Sequence, residues 1–327
     1  SVSLFDAVRG GREAGGRYTL KEQELLKRTI RQLPNIQMRG ARGLDFTNCY
    51  PQAEFNVDSV LFDLNYFKYC FLKATELDFH ELKLEADFRL LAKDLTAERC
   101  DAFLYRDFQA RNVMLDSEGN PYFIDFQGGR RGPYYYDLAS FLWQASAKYP
   151  YKLRREMVYE YYNALKQFTE VPTPHHFVER LSLFVLFRIL QVLGAYGFRG
   201  YFERKQHFIS SIPPAIQNLR ELLEVAHFPY PYLIDLLQRL IELPQFQQIE
   251  LTASMATRLL RITLTASIHK TVQPLSLNTI LRDPWWSRSI VSLTAKAYQK
   301  TRVATVAAMC LTVEVLTIQV AMNPTNS

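Results

Sequence analysis

The sequence predicts an α/β chain of the α+β kind, mainly helical, with one short β-hairpin. Three observations carry that expectation. Seven stretches between residues 20 and 243 have the apolar patterning of helices. Only Asn112–Leu115 and Tyr122–Asp125 look like strands, and they flank the turn Asp116-Ser117-Glu118-Gly119-Asn120. All 13 glycines and all 22 phenylalanines of the 327 residues lie in the first 250, which marks a folded body and an unlike tail.

The elements follow in order. Leu20–Ile36 places Leu20, Leu25, Leu26, Ile30 and Leu33 near 3.6-residue spacing with charges between, as a surface-packed helix does. Asp58–Ala74 is a strongly apolar helix. Glu76–Leu95 is another, with Leu82, Phe88, Leu91 and Leu95 expected on one side. Arg154–Phe168 precedes Phe177–Ala195, which is apolar nearly all round, as a central buried helix would be. Pro213-Pro214 reads as a helix break, with amphipathic helices at Ala215–Val225 and Tyr232–Leu243. His175-His176 reads as surface loop, and Gly10-Gly11 and Gly15-Gly16 as a loop between helices.

Net charge is +6, yet eight of the 39 basic residues and only two of the 33 acidic ones fall in residues 251–327. The first 250 residues hold 31 of each and are neutral. A neutral body gives no reason to expect phosphate-backbone binding, so no nucleic-acid partner is expected there. Four scattered cysteines form no C-x-x-C pair and suit a reducing cytoplasm. The chain begins at Ser1, without Met or signal peptide, and the expectation is that the natural start lies upstream.

The tail has no Gly and no Phe, and 12 of its 77 residues are Thr. Three readings compete. A membrane helix at Val303–Met322 would bury Glu314 mid-span at roughly 2.5–3.5 kcal/mol, so no membrane partner is expected. A small β-rich appendage is the second. A reading-frame slip near residue 250 is the favoured one. Shifting the frame across Met309–Cys310 forces Val, and the junctions from Arg302 to Glu314 permit Ser-Gly-Asn-Gly-Gly-Gly-Tyr-Val-Phe-Asp-Cys-Arg. The division expected is therefore 1–245 for the body and 246–327 for the atypical tail.

The chemistry concentrates in Phe103–Trp143. Asp107 and Asn112 lie five residues apart just before the first hairpin strand, and Asp125 ends the second strand. Three oxygen side chains thus converge from one loop and one strand end. One carboxylate, one amide oxygen and nucleotide phosphates suit magnesium, which prefers hard oxygen ligands. A second carboxylate off the metal can accept a proton from a substrate hydroxyl.

Tyr105-Arg106-Asp107-x-x-x-x-Asn112 resembles a kinase catalytic loop, and Asp125-Phe126-Gln127 its metal-binding element. With the short hairpin between them and Tyr136-Asp137-Leu138-Ala139 beyond, residues 1–245 resemble the aminoglycoside phosphotransferase and choline kinase family of small-molecule kinases, in its bacterial amino-sugar kinase-like branch. The hidden tail string resembles the start of the RapZ-like C-terminal domain of some relatives. The resemblance implies a protein-kinase-like fold, present mainly as the helical C-terminal lobe, with the N-terminal lobe largely missing. It implies a cytoplasmic enzyme that uses ATP and Mg to phosphorylate a small-molecule alcohol, an amino sugar of the cell wall. Asp107 would be the catalytic base, Asn112 and Asp125 the magnesium ligands, and Asp137 the support of the loop. Arg106, Gln109 and Arg111 are candidate supporting or substrate-binding residues.

Departures matter. Tyr105 stands where the family has His, a position that supports the loop by packing and hydrogen bonding. No glycine loop between strands and no strand lysine precedes Asp107, so the nucleotide-binding residues are unassigned and weak ATP binding is expected. A non-catalytic binding or regulatory protein is the alternative. Leu4–Val8 resembles the helix after the family's hinge. Arg130 and Arg131 read as solvated loop or as an anion site, and Tyr134-Tyr135-Tyr136 as packing or as a sugar platform.

Overall fold

The computed structural model describes residues 2–247; the readings of the tail lie outside them. The described elements run β1 (Val2–Ser3), α1 (Leu4–Ala7), α2 (Arg9–Glu13), α3 (Leu20–Gly40), α4 (Val57–Phe67), α5 (Glu81–Thr96), β2 (Ala102–Leu104), β3 (Val113–Leu115), β4 (Pro121–Phe123), β5 (Arg130–Gly132), α6 (Tyr135–Leu142), α7 (Tyr151–Leu165), α8 (Pro174–Tyr196), α9 (Gln206–Ile209), α10 (Ile212–Val225) and α11 (Pro231–Ile241). Helix dominates, and the expected hairpin is β3–β4, antiparallel with Val113 opposite Phe123 and Leu115 opposite Pro121.

Helix α3 starts where its sequence says it should. Thr19 caps it, and Glu22 closes a capping box by accepting the Thr19 N–H at 2.8 Å. The same carboxylate accepts the Gly11 N–H at 2.9 Å, which ties α2 to α3. Burial works to raise the Glu22 pKa, but these donors outweigh it and hold the group below its usual value. Helix α4 continues through a π-turn at Lys68–Leu72 and a 3₁₀ turn at Lys73–Thr75, so the expected helix keeps its length.

Helix α8 is the axis of the core. It packs on α4, α6 and α10, and Leu181, Phe184, Phe187, Leu190 and Leu193 are buried along it. Pro174–Phe202 is long and apolar enough to cross a membrane by composition, but the apolarity is explained by the helices packed around it. Gly194 lets α4 close in: a Cβ there would stand 2.8 Å from the Phe67 nitrogen. The body continues at least to Phe246, whose ring stacks on Phe71 with centroids 6.1 Å apart.

Several expectations need correction. Strands are not confined to the hairpin. β1 pairs with β3, and β2 pairs antiparallel with β5 through Ala102 and Gly132. Two- and three-residue strands are too short for alternation to show in a sequence. The helix expected from Glu76 begins at Glu81, because Glu76 is left-handed at φ 59° and His80 caps the helix. Its buried face is Leu84, Phe88, Leu91 and Leu95, while Leu82 is exposed. Pro213 and Pro214 do not break a helix. They lie in the first turn of α10, where a missing N–H costs nothing. His175 and His176 are exposed as expected, but in the first turn of α8 behind the Thr173 cap. Gly10 and Gly11 are helical, and Gly15 and Gly16 make the positive-φ turn into α3.

Candidate active site

The site is built on the segment between β2 and β3. At its root is Asp137, fully buried near the start of α6. One oxygen accepts the Arg106 N–H at 2.8 Å, and the other accepts the Tyr105 N–H at 2.8 Å and the Gln37 amide at 2.9 Å. These bonds hold Arg106 at φ 74°, a conformation a side-chain-bearing residue seldom adopts. Burial pushes the Asp137 carboxyl up to about 6, against the pull of those donors.

Tyr105 meets the expectation that it supports the loop. It is buried, its ring lies edge-on to Phe108 and Phe126, and its hydroxyl donates to the Ile124 carbonyl at the end of the hairpin. Burial raises its pKa first, and then the carboxylates of Asp125, Asp137 and Asp107. One phenol ring therefore feels all three acids predicted for the site.

Asn112 is buried in the turn before β3, and its Nδ2 donates to the Asp107 carbonyl at 2.9 Å. That bond fixes the amide and leaves its oxygen without a hydrogen-bond partner among the described residues. The ladder continues past β4: the Ile124 N–H donates to the Asn112 carbonyl at 3.1 Å. Asp125 is the next residue and sits at φ 70°. Gln127 donates to its Oδ1 at 2.8 Å, leaving Oδ2 without a partner among the described residues. Asp107 and Asp125 are exposed. No group of three His, Cys, Asp or Glu among the described residues could hold a metal unaided. Magnesium shared with nucleotide phosphates needs no such group, and an oriented amide oxygen with a half-free carboxylate fits it.

The other candidates divide. Arg106 turns its side chain into a cavity of about 210 Å³ beside the loop. Gln109 reaches Asp107 Oδ1 at 3.4 Å, a weak contact, and Arg111 is exposed. Arg130 and Arg131 are not solvated loop but strand β5, whose alternation sends them to opposite faces. Arg130 is buried and lines the cavity, whereas Arg131 is exposed and lies over Phe46. Of the three tyrosines, Tyr134 and Tyr135 pack the core, while Tyr136 also lines the cavity. No lysine lies on any described strand.

Sequence reasoning missed Gln37, Asp63, Arg188 and Gln191. Gln37 holds both Asp137 and the Tyr134 carbonyl, and accepts from Tyr161 at 2.5 Å. Gln191 donates to Asp63 at 2.5 Å, and Arg188 donates to the Tyr136 hydroxyl at 2.7 Å. The available signal was a polar residue on an apolar stripe. Gln37 follows Leu26, Ile30 and Leu33 along the inner face of α3, and Gln191 interrupts the apolar α8.

Residues 62–172 match the phosphotransferase enzyme family (APH), a span that includes Asp107, Asn112, Asp125 and Asp137. The chain is 27% identical over 233 residues to an N-acetylmuramate/N-acetylglucosamine kinase of Neisseria meningitidis serogroup B, covering 69% of this chain and 66% of that protein. It is 28% identical over 151 residues to a protein of the same name from Pseudomonas aeruginosa, covering 45% and 43%. It thus spans just under two thirds and less than half of those relatives. Among solved structures, a choline kinase from Cryptosporidium parvum Iowa II is similar at TM-score 0.42 and 12% identity, covering 62% of this chain and 66% of that one. The choline kinase LicA of Streptococcus pneumoniae is similar at TM-score 0.39 and 14% identity, covering 62% and 65%.

Proposed function

Starting from the family match over residues 62–172, we propose that the site moves the terminal phosphoryl group of ATP onto a hydroxyl of a small amino sugar of the cell-wall kind. The observation that supports this is the loop from Tyr105 to Asn112, held by Asp137, with Asn112 bonded to the Asp107 carbonyl and both Asp107 and Asp125 near enough to the Tyr105 phenol to raise its pKa. The names of the similar proteins supply the sugar.

In this reading the acceptor hydroxyl gives its proton to Asp107 as its oxygen bonds to phosphorus, and the bond from phosphorus to the β–γ bridging oxygen breaks to release ADP. Asn112 and Asp125 would hold magnesium, which when bound supplies charge neutralisation at the phosphates. Asp137 fixes the loop but does not touch the reacting atoms. ATP as donor places the reaction in the cytoplasm.

The test is phosphorus NMR of the protein with MgATP and either N-acetylmuramate or N-acetylglucosamine. A sugar-phosphate resonance that grows with ADP, and that Asp107→Asn suppresses, supports the proposal. Sugar binding without transfer selects the alternative, a non-catalytic binding protein. Neither binding nor transfer overturns the amino-sugar reading.

A further inference from the structure

The cavity beside the catalytic loop is charged unequally. Arg106 and Arg130 both line it, and Asp63 is the carboxylate among its lining residues. Asp63 already accepts the Gln191 amide, and Arg188 adds a third positive charge to the same neighbourhood. All three guanidinium groups thus act on Asp63, and Arg188 acts on the buried Asp137 as well.

Arg130 is the anomaly. It is 5% exposed, yet Nε and Nη2 are buried without a hydrogen-bond partner among the described residues. Nη1 is met only by the neutral amide oxygen of Gln52, at 2.9 Å. A buried guanidinium with two unmade bonds is costly unless something else completes it. Burial, and then repulsion from Arg106, lower its pKa, so the site itself disfavours the charge it holds. A planar fork with free donors is the arrangement that binds a carboxylate through two parallel bonds. Arg106 is fixed through its backbone by Asp137 and adjoins Asp107, so an anion held here lies next to the reacting end of the loop.

We propose that Arg130, with Arg106, forms a carboxylate subsite for the acceptor, so that the preferred substrate is an amino sugar bearing an acidic side group rather than a neutral one. The carboxylate takes the Nε and Nη2 donors, pairing charge with charge, while Gln52 keeps Nη1. Asp63 and Gln191 remain for the sugar's hydroxyl and amide groups. This rests on the amino-sugar reading above, and it adds a selection between acidic and neutral sugars, assigned to one residue.

Titration calorimetry of the protein without nucleotide tests it. N-acetylmuramate carries a lactyl carboxylate that N-acetylglucosamine lacks, so the wild type should bind the acid at least tenfold more tightly. Arg130→Gln should remove most of that preference and leave affinity for N-acetylglucosamine unchanged; Arg130→Lys, which keeps the charge but not the fork, should retain part of it. Equal weakening of both sugars, or no preference in the wild type, overturns the subsite and makes Arg130 a structural residue. If transfer can be followed, a raised KM for MgATP with unchanged sugar preference assigns the arginine to the nucleotide instead and also overturns it. A second arm separates the subsite from the sugar reading. Lactate, but not lactamide, should shift the Arg130 Nε–H resonance in nitrogen NMR. That shift with neither sugar bound keeps the subsite and rejects the amino sugar; no shift with any carboxylate rejects the subsite.

Discussion

Asp107 and Asp125 are both exposed carboxylates on the same site, but their proposed roles fail differently when the charge is removed. Asp107→Asn should lower kcat by about 10²–10⁴ while KM for MgATP stays within a few-fold, because a base acts on the transferring step. Asp125→Asn should raise KM for MgATP as well as lower kcat. Steady-state kinetics check this, and small equal effects from both changes would count against the roles. Asp137 makes a prediction of another kind. Its carboxyl titrates at about 6 in the fold and near 3.8 as an unperturbed group. The fold therefore holds this proton more tightly than the unfolded chain. The stability it contributes is full below pH 3.8 and is lost as pH rises through about 6, on the order of 3 kcal/mol. Asp137→Asn cannot titrate, so the wild type's stability relative to that variant should fall by this order between pH 4 and 7 in denaturant titrations. A flat difference would show that the three donors hold Asp137 ionised throughout.

At the scale of elements, two junctions are exposed to single changes. Thr19→Ala removes the cap of α3 and should cost about 1 kcal/mol, read as a lower denaturation midpoint. Gly194→Ala should also destabilise, although alanine favours helix by about 1 kcal/mol. The new Cβ meets Phe67 backbone rather than a movable side chain, and overpacking of that kind costs about 1–3 kcal/mol. A stabilised Gly194→Ala would mean that α4 and α8 can separate without loss. These elements also show what a sequence reveals. Helices such as α3 and α8 were legible because periodicity repeats over many turns, and the hairpin because Asp116–Asn120 is a turn in its own right. β2 and β5 were not, since each is three residues whose partner lies about 30 positions away. The loop acids were legible from spacing to a single β-turn. The cavity was not, because Asp63, Gln191 and Arg130 come together only through the packing of α4, α8 and β5. Arg130 in particular reads as a loop charge until β5 is seen to turn it inward.

For the whole molecule, the described residues form one hydrophobic cluster that runs from Leu4 to Phe246. If residues 251–327 are read out of frame, as the sequence argument proposes, a chain ending at Gln247 should melt where the full chain melts, and protease should cut at or after residues 244–248. A lowered melting temperature on removal would favour a true second domain. The central claim is wider than either, and one measurement meets it most directly: phosphorus NMR of the protein with MgATP and N-acetylmuramate, beside Asp107→Asn under the same conditions. The account predicts a sugar-phosphate signal in the wild type and its loss by about 10²-fold or more in the variant, with sugar binding retained. Transfer that survives Asp107→Asn undiminished would contradict it.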